Sequence, residues 1–187
     1  MIHLASQSPQ RADLLRRAGV AFQVVASAGD EETVTGTHAP SLALQRAQVK
    51  GRGAQVRDGI ALAADTVVAL GNRIIGKPVD EADARALLTA LGGTTHTVLT
   101  GHWAGRFAAG AVASEASALT TARVRMRAFS PEELDAYIAT GEWRGRAGAY
   151  AIQESGDRFV VDVQGALGTV IGLHVDTARR LVAEVGA

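Results

Sequence analysis

Short apolar runs, separated by glycine, proline and small polar residues, alternate along the chain between strand-like and helix-like spacing. Residues 2–5 form a strand candidate that stops at Ser6-Gln7-Ser8-Pro9. Ser8 is a suitable N-cap and Pro9 suits the first helical position, so a helix follows, with Leu14, Leu15 and Ala18 on its apolar side and Gly19 at its end. Residues 22–25 read as a second strand. The stretch 28–40 is small, acidic and broken by Gly36 and Pro40, which predicts a loop. Residues 42–49 carry a helical pattern that closes at Gly51 and Gly53. Residues 60–70 are apolar except for Asp65-Thr66, and Gly71-Asn72 turns them back into Arg73-Ile74-Ile75, a hairpin signature. Asp80 caps a helix in which Ala82, Ala86, Leu87 and Leu91 recur at helical spacing before Gly92-Gly93 ends it. Further strands lie within 95–104 and 114–129. Ser130-Pro131-Glu132-Glu133 is a capping box that opens a helix running to Thr140. Residues 159–163 form a strand and 176–185 a closing helix. This alternation predicts an α/β fold.

Composition narrows the function classes. At 187 residues and 47% hydrophobic content the chain can bury a sizeable core, and one domain over 1–187 is expected. Aromatic residues are only 4%, so Ala, Val, Leu and Ile must build that core. Lys plus Arg and Asp plus Glu are both 19, a balance that argues against a polymeric nucleic-acid or membrane-surface binder. The absence of cysteine excludes disulfide frameworks, thiolate metal sites and thiol nucleophiles. The opening residues lack a secretory pattern and no window reaches the ~18 apolar residues of a membrane span, so a soluble, cytoplasmic protein is expected.

Four features could carry chemistry. Gly71-Asn72-Arg73-Ile74-Ile75-Gly76-Lys77 fits a phosphate-binding P-loop until Pro78, where a magnesium-binding hydroxyl is needed, and it sits on a predicted hairpin rather than ahead of a helix. Asp65 interrupts an otherwise apolar strand, where an ionised carboxylate is costly unless it is paired, hydrogen-bonded or metal-bound. It is either a structural carboxylate satisfied by backbone amides or a site residue. The turn Ser6-Gln7-Ser8-Pro9-Gln10-Arg11 offers hydroxyls, a guanidinium and a helix N-terminus, a combination that suits phosphate and equally serves as a simple cap. Asp30-Glu31-Glu32 adds carboxylates that, with Asp65, could hold Mg²⁺ or Mn²⁺. The five histidines lack paired metal-ligand spacing, and no G-x-S-x-G elbow exists. Arg123, Arg125 and Arg127 read as a solvated or salt-bridged sheet face.

Taken in order along the chain, these blocks resemble the Maf family of nucleoside triphosphate pyrophosphatases. The resemblance runs from Leu4-Ala5-Ser6-Gln7-Ser8-Pro9-Gln10-Arg11 through Asp30-Glu31, Ala64-Asp65-Thr66-Val67-Val68 and Gly76-Lys77-Pro78. It continues through Leu91-Gly92-Gly93, Thr100-Gly101, Gly141-Glu142, Ala147-Gly148-Ala149-Tyr150 and Ile152-Gln153 to Val170-Ile171-Gly172-Leu173. It implies a mixed sheet with flanking helices, two lobes around a cleft, as in inosine triphosphate pyrophosphatases. It also implies metal-dependent hydrolysis of a nucleoside triphosphate to a monophosphate and pyrophosphate. By position, Asp65 corresponds to the catalytic carboxylate and Glu31 with Asp65 to the metal ligands. Ser6, Ser8, Arg11, Lys50 and Lys77 correspond to substrate-binding residues. Gln10, Arg11, Thr66 and Gln153 fall at base-specificity positions, with Thr66 and Gln153 matching the dTTP/UTP branch. The resemblance leaves two alternatives, a preference for 7-methyl-GTP or other modified nucleotides and a nucleotide-binding cell-division regulator with little turnover, and it allows a homodimer.

Several residues depart from the family pattern. Gln10 stands where a second Arg is common, Trp143 where Pro is usual, and Glu154 where Gly is usual. Thr169 and His174 replace a typical Asn and Pro. Whether Asp65 acts as base, metal ligand or both is left open by the residues alone.

Overall fold

A computed structural model of the chain describes Met1–Ala187. A seven-stranded mixed sheet runs in the order β2-β1-β3-β5-β6-β7, with β4 paired to β3. Its strands are β1 (Ile2–Leu4), β2 (Phe22–Val24), β3 (Gly59–Leu70), β4 (Arg73–Ile75), β5 (Thr95–Ala108), β6 (Ala111–Met126) and β7 (Val160–Gln164). The flanking helices are α1 (Pro9–Arg17), α2 (Ala39–Arg52), α3 (Glu81–Leu91), α4 (Pro131–Thr140), α5 (Leu167–Ile171) and α6 (Val175–Gly186). None is long and apolar enough to cross a membrane. The β1 pairings with β2 and β3 are parallel, and the remaining ladders are antiparallel.

The expected α/β alternation, the hairpin after residue 70 and the caps are all present. Leu70 pairs with Arg73 across the Gly71-Asn72 turn, so the P-loop-like string lies on a hairpin and its exit. The Ser130–Glu133 capping box forms in both directions, and Gly141 ends α4 in the left-handed region. One expectation needs correction. The stretch 28–40 is not a continuous loop: Glu31–Thr33 form a 3₁₀ turn, and α2 already begins at Ala39. Pro40 falls in the first turn of α2, where its missing N–H costs nothing. At the far end α2 continues through Gly51 to Arg52 and is capped at Gly53; Gly51 serves packing instead of ending the helix, since a larger residue there would overlap the Trp103 ring. The short α5 and the 3₁₀ turns at Ala147–Ala149 and Ser155–Phe159 carry no periodicity long enough to read from sequence.

Packing follows the pleat of β3. Ala61 and Ala63 face α2 in a cluster with Ala47 and Trp103, and Val67 and Ala69 join Leu42 and Ala43 on that same helix. Leu62 and Ala64 point to the opposite face, against Ala12, Leu15, Leu173 and Ala178. A third group, centred on Leu88, Leu91, Tyr137 and Phe159, fills the end of the sheet where α3 and α4 pack. Between these groups one edge of β3 is incomplete. β5 covers the other edge throughout, while on this edge β1 pairs only with residues 60–62 and β4 only with 68–70. The chain leaves β1 after the Ala5 N–H bonds to the Leu62 carbonyl at 2.9 Å. Residues 63–67 therefore border a gap, and Asp65 and Thr66 stand in its middle.

Close approach of α2 to the sheet holds this geometry. Gly101 is the register partner of Asp65, and a Cβ there would overlap the Ala43 carbonyl. Gly101→Ala should therefore destabilise the fold by about 2–3 kcal/mol, the range of an overpacked core. Calorimetry should show the transition falling by roughly 5–10 °C for a chain of this size.

Candidate functional site

The gap opens into a cleft of about 420 Å³. Every residue that the family resemblance assigns to the site lines it, namely Ser6, Ser8, Gln10, Arg11, Glu31, Lys50, Asp65, Thr66, Lys77 and Gln153, whereas Asp30 and Glu32 of the acidic run do not. Because neighbouring residues of a strand face opposite sides, Asp65 looks toward α2 and Thr66 toward α1 and α5. The cleft straddles β3, and its two sides differ in chemistry.

On the α2 side the walls are charged. Ala43, Ala47 and Lys50 recur at helical spacing, so the helix face that packs on β3 also delivers the Lys50 ammonium to Asp65. Lys50 Nζ lies 2.5 Å from Glu31 Oε1 and 3.6 Å from Asp65 Oδ1. Glu31 is brought there by the preceding loop, which is fastened to the end of α2. Ser27 Oγ donates to the Lys50 carbonyl at 2.7 Å, and the Ala28 N–H donates to the Gly53 carbonyl at 2.8 Å. Gly29 approaches the Val49 carbonyl so closely that no Cβ fits.

The two carboxylates titrate in opposite directions. Asp65 is 7% exposed, and its Oδ2 is buried with no hydrogen-bond partner. Burial raises its pKa, against the pull of Arg11, Lys50 and Arg46 and with a push from Glu31. For Glu31 burial also acts upward, but the Lys50 hydrogen bond and the charges of Lys50 and Lys77 outweigh it and hold the carboxyl below its ordinary value. A pair separated in this way divides into a permanent anion and a group poised to take a proton.

Arg11 joins the two sides. Its Nε donates to the Gly172 carbonyl at 3.0 Å, one terminal nitrogen to Ser6 Oγ at 3.2 Å, and the other to Thr66 Oγ1 at 3.5 Å. No carboxylate pairs with it directly. The α1 N-terminus has fewer free amides than its position leads one to expect. Pro9 has no N–H, the Arg11 N–H goes to the Ser8 cap and the Ser8 N–H to Ser6 Oγ. Ser8 Oγ in turn donates to Gln10 Oε1 at 3.0 Å. Anion binding at this end thus rests on the guanidinium more than on the helix terminus.

The Thr66 side is largely uncharged, walled by Val68, Val98, Tyr150, Ile152, Val170 and Ile171, with Gln153 adding an amide. Tyr150 is fixed by a 2.9 Å hydrogen bond between its hydroxyl and His96 Nε2. Burial holds His96 neutral, its pKa lowered to about 4, and raises that of Tyr150 above the usual phenol range. Two cations stand on further walls. Lys77 is paired with Glu32 at 2.7 Å, and Arg146 with Glu154 at 2.7 Å. Arg146 escaped the sequence reading although it directly precedes the Ala147-Gly148-Ala149-Tyr150 block. A lone arginine has no pattern, and long-range ties such as the Gly148 N–H bond to the Gly76 carbonyl and the Tyr150–His96 hydrogen bond bring this loop to the cleft.

No group of three or more His, Asp or Glu side chains gathers into a ready metal cage. Glu31 and Asp65 converge on one ammonium, and the unpartnered Asp65 oxygen is an acceptor without a donor. This donor set suits a cation whose remaining ligands come from phosphate oxygens and water, the usual habit of Mg²⁺.

A dTTP/UTP pyrophosphatase of Anaeromyxobacter sp. (strain Fw109-5) is 42% identical over 183 residues, covering 98% of this chain and 88% of that protein. A protein of the same name from Maricaulis maris is 41% identical over 189 residues, covering 98% and 87%. Another from Xanthomonas campestris pv. campestris is 38% identical over 193 residues and aligned over the full length of both. Among solved structures, a dITP/XTP pyrophosphatase from Mycobacterium abscessus overlaps loosely, with a TM-score of 0.40 and 16% identity over 75% of this chain and 93% of that one. The model of the Maf-like protein family matches residues 1–185, and the chain belongs to that family.

Proposed function

We propose that this protein hydrolyses the α–β phosphoanhydride of a pyrimidine nucleoside triphosphate of the dTTP or UTP type, releasing the monophosphate and pyrophosphate. The observation that carries this reading is the buried, unpartnered Asp65 oxygen in a cleft that Arg11, Lys50, Lys77 and Arg146 also line. The names of the relatives and the uncharged pocket around Thr66 and Gln153 support the choice of base. The compartment in which such triphosphates are made and used is the cytoplasm, where we place the protein.

The triphosphate lies on the charged side, where Lys50, Lys77 and Arg11 face its oxygens and Ser6 and Ser8 offer hydroxyls. Asp65 holds a water and accepts its proton as the oxygen attacks the α-phosphorus. The bond to the bridging oxygen breaks, and pyrophosphate leaves with the charge that the cationic wall stabilises. Glu31, kept ionised, fixes Lys50 beside the reaction. Glu31 and Asp65 would also hold a divalent cation, which supplies charge neutralisation and a more acidic water when bound.

Purified protein incubated with a panel of triphosphates and Mg²⁺ or Mn²⁺ should release pyrophosphate and monophosphate. Orthophosphate with diphosphate, or no turnover with any nucleotide, removes the proposal.

Asp65→Asn should lower kcat by at least about 100-fold, the usual contribution of a general base. The same change should leave the thermal midpoint at pH 7 equal to or above that of the parent. Because the folded-state pKa of Asp65 is raised, ionisation disfavours the fold. That penalty is absent below the ordinary carboxylate range and complete above the folded-state pKa. The stability advantage of Asp65→Asn should therefore grow as pH rises through this interval. A variant less stable than the parent at neutral pH would show that the carboxylate is structural.

The pH profile supplies an independent check. Activity requires ionised Asp65, so kcat should fall as pH drops through its elevated pKa. Lys50→Met removes a charge that holds this pKa down and should move the acid limb to higher pH. Glu31→Gln removes a like charge and should move it to lower pH. Limbs that stay in place in both variants would mean that another group sets the profile.

A further inference from the structure

Behind the cleft a chain of threonine hydroxyls runs through the sheet, and its hydrogens can be assigned one by one. The Thr100 hydroxyl is fully buried and donates to the Thr169 carbonyl at 2.7 Å. A hydroxyl has one hydrogen to give. The 3.0 Å contact between Thr66 Oγ1 and Thr100 Oγ1 must therefore be a donation from Thr66 to Thr100. Thr66 Oγ1 also accepts from Arg11 at 3.5 Å. The rest of the chain is compatible with this direction, since the Thr169 hydroxyl donates to Thr120 Oγ1 at 2.9 Å and the Thr120 hydroxyl to the Thr100 carbonyl at 3.4 Å.

Thr66 thus meets the cleft with its hydrogen already committed and one lone pair free. It can accept from a ligand but cannot donate to one. Apart from Arg11, the part of the cleft it faces is uncharged, suited to a ring rather than a phosphate chain.

We propose that Thr100, which does not line the cleft, is a specificity-positioning residue: it fixes Thr66 as an obligate acceptor, so that the site selects a pyrimidine carrying a ring N–H. Uracil and thymine present N3–H to such an acceptor. Cytosine presents a bare N3 lone pair, and two acceptors facing each other across a desolvated pocket are repulsive. The proposal rests on the hydrolytic reading above and deepens it. A directional network of this kind discriminates through the partner left unpaired, not through size.

The test compares UTP with CTP, which have the same ring size and differ at N3 and C4. In the parent protein kcat/KM for UTP should exceed that for CTP by about 100-fold or more, as expected of a site built to pair with one donor. Thr100→Val keeps the shape but removes the acceptor for the Thr66 hydrogen, freeing it to turn toward the cleft. The UTP/CTP ratio should then fall by at least about tenfold, chiefly by loss on UTP and gain on CTP. Thr100→Ser restores the acceptor and should restore the ratio. A merely structural role for Thr100 would lower both substrates together and leave the ratio intact, which overturns the proposal. The parent protein provides a reading that needs no variant to fold: equal turnover of UTP and CTP overturns it directly. Absence of turnover with every nucleotide removes the hydrolytic reading itself and, with it, this one, an outcome distinct from an unchanged ratio in an active enzyme.

Discussion

A carboxylate in the middle of a buried strand needs a compensating cation, and the placement of Lys50 beside Asp65 is the contact around which this molecule is arranged. The requirement acts at several levels. It asks α2 to lie against β3 closely enough for a lysine to reach across, which the small residues Ala43, Ala47 and Gly101 permit. It asks the 27–33 loop to be tied to the end of α2, so that Glu31 can balance the ammonium from its other side. It also asks the strand to be open at one edge, since a carboxylate sealed on every side would serve no ligand. The break between β1 and β4 provides that opening, and the long antiparallel ladder with β5 keeps β3 rigid across it.

How much of this was legible in the sequence depends on the range of the interaction that specifies it. The Gly71-Asn72 hairpin, the Ser130 capping box and the Asp80 cap are encoded within a few residues, and the chain forms each of them. The start of α2 does not show in the sequence because Pro40 and the acidic residues before it look like loop punctuation. Only the helix that follows makes that proline a first-turn residue. Asp65 announced itself by contrast with its apolar neighbours. Lys50 has no such contrast on an amphipathic helix, and only the family resemblance drew it out. Arg146 lay beyond both routes, and so did the role of Thr100, which the resemblance includes only as part of its Thr100-Gly101 block. The first is a single arginine in a loop, and the second is a small polar residue on a strand, an ordinary β-former with nothing local to mark the direction of its hydrogen bond.

The hydroxyl chain also shows how the two faces of β3 differ in what they tolerate. On the α2 face a charge is buried, and the neighbouring groups pull its protonation in competing directions. On the Thr66 face the polar atoms are neutral, and the named hydrogen bonds run donor to acceptor from Arg11 through Thr66 and Thr100 to the Thr169 carbonyl. Buried polar networks stabilise one geometry when satisfied and are expensive when a member is left unpaired. Substitutions at Thr100 and at Asp65 therefore fail for different reasons, one through orientation and the other through charge.

The four cations of the cleft divide along a similar line. The Lys50 side chain is 12% exposed and lies between two carboxylates, one of them almost fully buried, so its place is fixed. Arg11 is held by a carbonyl and two hydroxyls, neutral partners that leave its charge uncompensated by any direct ion pair. Lys77 and Arg146 pair instead with Glu32 and Glu154, whose side chains are 59% and 39% exposed. The Lys77 pair is solvent-exposed and contributes about 0–1 kcal/mol, so exchanging its carboxylate for a phosphate oxygen is nearly free of cost. The Arg146 side chain, by contrast, is 24% exposed, and its Nε also donates to the Glu142 carbonyl at 2.7 Å. The interior cations thus set the geometry around Asp65, while Lys77 at the mouth can turn from protein to polyanion without disturbing the fold. Glu154 is one of this chain's departures from the family pattern, and its effect is to give Arg146 a resident partner beside Gln153. On the proposed function, a triphosphate entering the cleft would compete with that partner for Arg146.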